Sequence, residues 1–106
     1  MSLPVSLAAW RQAEAEAVAA LAIERARSVV RARARRTMRV GGQPIRAKHL
    51  AEYLAVVGGG ASRQAVQRVT GCCRIGLARR LARIEDLRDD PRLDVLLDSL
   101  AEVMRT

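Results

Sequence analysis

Few side chains in this 106-residue chain could carry covalent or metal chemistry: one histidine, His49, and two cysteines, Cys72 and Cys73. A zinc-type site needs three or four converging His, Cys or carboxylate ligands, and His49 has none at suitable spacing; it is expected to be a surface or capping histidine. Adjacent cysteines do not build an ordinary structural disulfide, and no third cysteine is present. They are therefore expected to be free thiols in a reducing compartment, filling small core positions. The neighbouring Arg74 is of the kind that favours a thiolate, but two further metal ligands are missing. Gly58-Gly59-Gly60 lacks the Lys and Ser/Thr that a phosphate-cradling P-loop requires. No catalytic residue, metal site or cofactor is expected, and the chain is not expected to be an enzyme.

The chemistry that is abundant is that of arginine. Of nineteen basic residues eighteen are Arg, against eleven acids, for a net charge of +8. The charge is segregated. Residues 1–24 hold one Arg and three Glu, net −2. Residues 25–84 hold fifteen basic residues and the single acid Glu52, net +14. From Glu85 onward seven acids face three arginines, net −4. A guanidinium presents a planar donor fork that matches phosphate better than an ammonium does. The basic middle is thus expected to meet an anionic, phosphate-rich partner: nucleic acid, and duplex DNA in particular.

Length and composition bound the rest. A chain of this size is one thin-cored domain. Half of its residues are apolar, but they are mostly Ala, Val and Leu, with no Phe, one Trp (Trp10) and one Tyr (Tyr53). Such a core implies close helix packing through small side chains, or a core shared with a second subunit, and a homodimer is expected. No stretch approaches the ~20 apolar residues of a membrane span. The opening Met1-Ser-Leu-Pro-Val-Ser lacks the basic start and apolar run of a secretory signal, so a cytoplasmic location and no membrane partner are expected.

The elements that would position the arginines follow from helix formers and breakers. Val5–Arg36 contains neither Gly nor Pro and is dominated by Ala, Glu, Arg and Leu, which predicts a long first helix. Ala15, Val18, Ala19, Ala22, Ala26, Val29 and Val30 recur at three-and-four spacing as its packing face. Gly41-Gly42 and Pro44 break the pattern. Thr37–Val40 could be a short strand, and Pro44 suits the first turn of the next helix, whose inward face is Ala47, Leu50, Ala51, Leu54 and Val57. Gly58–Gly60 ends that helix. Ser62 then caps a third, Arg63 to about Thr70, with Val66 and Val69 inward, and Gly71 stops it. A fourth, from about Arg74 to Arg88, buries Leu77, Leu81 and Ile84. Asp90-Pro91 starts a fifth with Leu93, Leu96, Leu97, Leu100 and Met104 on one face. The fold class is all-α with about five helices: a long Ala-rich helix over residues 1–36, serving packing or dimerisation, and a compact helical domain over 37–106.

The segment Leu50-Ala-Glu-Tyr-Leu54, the glycines, and Gly60-Ala-Ser-Arg-Gln-Ala-Val-Gln-Arg-Val69 resembles the helix-turn-helix of bacterial DNA-binding regulators over about residues 50–69. In that motif a turn glycine is followed two residues later by a polar cap and four further by a buried aliphatic, here Gly60, Ser62 and Val66. The resemblance implies that Arg63, Gln64, Gln67 and Arg68 contact bases, since Arg pairs with guanine and Gln with adenine in the major groove. The turn departs from the pattern: Val56 stands where a small alanine is usual. A second resemblance, to ribbon-helix-helix repressors, implies that Arg36-Thr-Met-Arg-Val40 pairs as a strand across a dimer, with Thr37 and Arg39 facing the groove.

The function expected is that of a small dimeric DNA-binding protein, a transcriptional regulator or DNA-organising factor. Arg31, Arg33, Arg35, Arg36, Arg39, Arg46 and Lys48 are expected to neutralise phosphates. The alternative is a helical adaptor or assembly subunit of a secretion, conjugation or phage-packaging complex. In that reading the arginines meet acidic protein surfaces, and the acidic face Asp94, Asp98, Glu102 covers the basic middle of a neighbouring copy.

Overall fold

A computed structural model describes residues 6–33, 37–40 and 43–105, with backbone alone for 37–40 and for residue 43. Five helices and one hairpin follow in order: α1 (Leu7–Arg33), β1 (Thr37–Val40), β2 (Gln43–Arg46), α2 (Ala47–Val57), α3 (Arg63–Thr70), α4 (Arg74–Leu87) and α5 (Pro91–Arg105). The all-α class expected from the sequence holds. None of the described helices is long and apolar enough to cross a membrane.

The helices pack around α2, which touches α1, α3, α4, α5 and β2. Six consecutive α2 residues, Leu50 to Ala55, are consequently buried, where periodicity alone anticipated one face. Towards its ends Lys48 and Val57 remain exposed. From α1 the core takes Ala19, Ala22, Ile23, Ala26 and Val30. Val18, expected inward, lies outside this row and is exposed, whereas Ile23 joins it. The small α1 side chains permit close approach, as anticipated: a Cβ on Gly59 would sit 2.8 Å from Ala22 Cβ.

Two expectations are corrected in the hairpin. Pro44 does not open α2; it lies in β2 opposite Arg39, where a two-stranded ribbon tolerates a residue without an N–H. Beside it, Ile45 enters the core. The helix starts instead at Ala47, after an extended Arg46 that makes no side-chain cap. The strand Thr37–Val40 pairs antiparallel with β2 of its own chain, Thr37 opposite Arg46 and Val40 opposite Gln43. The strand thus has an intrachain partner that the ribbon-helix-helix resemblance did not imply.

The later helices follow their local signals. Ser62 Oγ accepts from Ala65 N at 3.1 Å, capping α3, and Gly71 closes it in the left-handed region at φ +73, which costs glycine nothing. Leu77, Leu81 and Ile84 anchor α4; Leu93, Leu97, Leu100, Ala101 and Met104 anchor α5. Val69, expected inward, belongs to the last turn of α3 and is 39% exposed.

Candidate nucleic-acid interface

The two glycine-marked turns, Gly58–Ser62 and Gly71–Cys73, deliver α3 and α4 to one surface. Ala65 and Val66 pin α3 to the core, leaving Arg63, Gln64 and Arg68 exposed and Gln67 half-exposed on the opposite side. The linker to α4 is three residues, Gly71 to Cys73, whereas α2 and α3 are separated by five. Gly71 N donates to Gln67 O at 2.9 Å. Thr70 Oγ1 donates to Val66 O at 2.7 Å and to Cys72 Sγ at 3.0 Å, so the turn is internally bonded. Cys73 is the N-cap of α4, its Sγ accepting from Gly76 N at 3.2 Å. The cysteines are thus not two core residues: Cys72 is half-buried against the core and Cys73 is an exposed cap.

With Leu77 and Leu81 inward, α4 turns Arg74, Ile75, Ala78, Arg79 and Ala82 outward. Ile75 is 64% exposed, and the two alanines keep the middle of this face low. Arg63, Gln64 and Gln67 of α3 meet Arg74, Leu77 and Ala78 of α4 around an open depression of about 490 Å³. Three of the four expected base-contacting residues are therefore brought beside α4, with Arg68 on the same exposed side of α3. Sequence reasoning missed Arg74, Ile75, Ala78 and Arg79. A signal for them was present: Gly71, Cys73 and Leu77 repeat the spacing of Gly60, Ser62 and Val66 eleven residues later, and both glycines have φ +73.

The remaining arginines divide by what they touch. Arg80 donates through Nε at 3.0 Å and Nη2 at 2.8 Å to Glu52 Oε2, clamping α2 to α4. Glu52 is only 8% exposed, so the one acid of the basic middle is a buried partner for Arg80. Burial pulls the Arg80 guanidinium down, but the bonds to Glu52 hold it above its usual range. Arg83 donates to Pro44 O at 2.8 Å, fastening the hairpin to α4. Arg25 reaches Val103 O at 3.1 Å. Arg88 donates to Tyr53 Oη at 3.0 Å, to Asp94 Oδ1 at 2.7 Å and to Asp98, and these bonds raise its pKa. Tyr53, itself bonded to Glu85, is pushed up by burial and by that carboxylate. By contrast, Arg63, Arg68, Arg74 and Arg79 form no ion pair among the described residues.

The expected phosphate contacts are dispersed. Arg31 and Arg33 lie exposed in the last turn of α1, Arg46 is exposed in β2 and Lys48 in the first turn of α2. Arg35 and Arg36 lie outside the described residues, as does the side chain of Arg39. None of these lines the α3–α4 depression among the described residues. The acidic face of α5 is engaged within the chain: Asp94 and Asp98 bind Arg88, and Glu102 binds Arg105 at 3.3 Å. Head-to-tail cover of a neighbour's basic middle would have to displace these pairs.

His49 is half-buried, and desolvation together with nearby Arg80 holds its pKa below the ordinary 6.5. The folded state resists its protonation, so its contribution is complete above about pH 6.5 and declines as pH falls through that value towards the lower folded one. Urea midpoints at pH 7.5 and 5.5 are expected to show a smaller acid loss in His49→Gln than in the parent chain. An identical loss would remove His49 as the cause.

Comparison of the chain with protein-family models, with curated proteins and with solved structures finds no match.

Proposed function

We propose that the protein binds duplex DNA without catalytic chemistry of its own, as a cytoplasmic transcriptional regulator or DNA-organising factor. The helix-turn-helix in this reading is α3, the Gly71–Cys73 turn and α4, rather than α2 and α3. The observation that carries it is the three-residue turn with a left-handed glycine, joining a short pinned helix to a longer one whose Arg74 and Arg79 are exposed and form no ion pair among the described residues. A short, tightly bonded turn fixes the second helix for insertion into the major groove. On α4, Arg74 and Arg79 supply donors, while Ile75 and Ala78 supply apolar contact of the kind a thymine methyl accepts. Arg63, Gln64, Gln67 and Arg68 flank them. Arg46 on β2, which the Arg83–Pro44 bond fastens to α4, and Lys48 on α2, which the Arg80–Glu52 pair fastens to it, supply phosphate contacts.

The test is the affinity for a random duplex across a salt series. Four to six phosphate contacts give a loss of roughly 10²–10³-fold between 50 and 200 mM salt through counterion release. A flat response, or no binding at low salt, would overturn the proposal in favour of an acidic protein partner.

A further inference from the structure

The first turns of α1 have no support from the fold. Every described residue from Ser6 to Glu14 is exposed, and helical turns without tertiary packing are marginal in water. At 3.6 residues per turn, Leu7, Trp10, Glu14, Val18 and Leu21 fall on one stripe about 80° wide. That stripe points away from the buried row Ala19, Ala22, Ile23, Ala26. Its apolar members are large and open: Trp10 is 64% and Leu21 68% exposed.

We infer that this stripe binds a second copy of the chain, with the two α1 helices antiparallel about a two-fold axis near Glu14. The stripe is self-complementary in that arrangement: Leu7 faces Leu21 of the other copy and Trp10 faces Val18. An isologous interface requires such symmetry of a single patch. Charge selects the second copy and its direction. The two Glu14 carboxylates meet near the axis, and Arg11 of each copy, exposed and, like Glu14, free of ion pairs among the described residues, stands about one helical turn from the other copy's Glu14 and offsets that repulsion. A parallel pair would set Arg11 against Arg11 and align the arginines of both α1 C-terminal ends, a juxtaposition that like charges disfavour. Geometry supplies a seat as well. Beside the stripe, an open cavity of about 280 Å³ is lined by Arg11, Glu14, Ala15, Val18, Gly60 and Ser62, opposite where the other copy's indole arrives. The inference stands apart from DNA binding, which it does not require.

Sedimentation velocity on the full chain, with emission of its single tryptophan followed on dilution, tests it. A monomer–dimer equilibrium is expected, with Trp10 emission shifting to the red as the dimer dissociates. Leu21→Glu should raise the dissociation constant at least tenfold with helicity unchanged. Arg11→Glu and Glu14→Arg should each weaken association several-fold alone, and an equimolar mixture of the two should recover parental affinity, because opposite charges then meet only across the interface. A monomer at every concentration, an assembly larger than two, or a dimer indifferent to Leu21→Glu would overturn the inference. A mixture no tighter than either single variant would overturn the antiparallel pairing.

Discussion

Replacing Arg74 and Arg79 together with alanine is expected to lower affinity for duplex DNA by roughly 10²–10³-fold, since each well-placed arginine contact contributes about 1–3 kcal/mol. Both side chains are exposed and without ion pairs among the described residues, so the variant should keep the helicity and melting temperature of the parent. Fluorescence anisotropy at fixed low salt measures the effect. Arg92→Ala, an exposed arginine on α5, serves as the control and should change affinity less than threefold. If Arg63→Ala with Arg68→Ala abolishes binding while the Arg74 and Arg79 variant does not, the reading helix is α3 and the turn that matters is Gly58–Ser62. Arg80 offers a contrast within the same helix. Its loss would strand the Glu52 carboxylate, 11% exposed beside an Arg80 side chain that is itself 25% exposed, and leaving such a partly buried group unpaired destabilises by about 1–3 kcal/mol, an effect on folding before any effect on binding.

The largest stability change from a single methyl group is expected at Gly59. A Cβ there would lie 2.8 Å from both Ala22 Cβ and Ala55 O and 3.1 Å from Met104 Cε. Ala55 O is α2 backbone and Ala22 Cβ has no rotamer freedom, whereas the end of the Met104 side chain can give way, so α1 or the end of α2 must shift. Overpacking of this kind costs about 1–3 kcal/mol, and Gly59→Ala should fall towards the upper end. The adjacent glycines are constrained for other reasons. Gly60 has open space around it but φ +73, so Gly60→Ala costs roughly 1–2 kcal/mol through backbone conformation alone. At Gly58 a Cβ would meet Ala101 at 3.2–3.3 Å, a fit that a small relaxation of α5 can absorb. Urea denaturation of the three single alanine variants should rank Gly59 first. A Gly59 variant as stable as the parent would show that the α1–α2 approach is looser than the geometry describes.

Much of the fold was legible because it is written in local signals. Ser62 caps and Gly71 stops α3 as their types require. Leu77, Leu81 and Ile84 mark the inner face of α4, and the absence of Gly and Pro over Val5–Arg36 marks α1. The candidate interface was legible in part. Arg63, Gln64, Gln67 and Arg68 do share an exposed face, but the glycine, cap and aliphatic spacing occurs twice, and the first occurrence drew attention from the second. Cys73 obscured the repeat, because a thiol is an unusual helix cap.

By itself, then, the sequence determined the presence of five helices, the signals that start and stop α3, and the segregation of charge. These depend on neighbours within a few residues or on composition, and no tertiary arrangement can alter them. Only the tertiary structure decided which arginines remain available. Glu52 takes Arg80, Pro44 takes Arg83, Tyr53 with two aspartates takes Arg88, and Val103 takes Arg25, through partners 6 to 78 residues away in the chain. It likewise buried the central turns of α2 from Leu50 to Ala55, paired Thr37–Val40 with its own hairpin partner, and left Trp10 and Leu21 uncovered. An isolated arginine carries the same charge wherever it stands; whether that charge is spent inside the molecule or offered to another depends on which distant carboxylate or carbonyl the packing of the helices brings within about 3 Å.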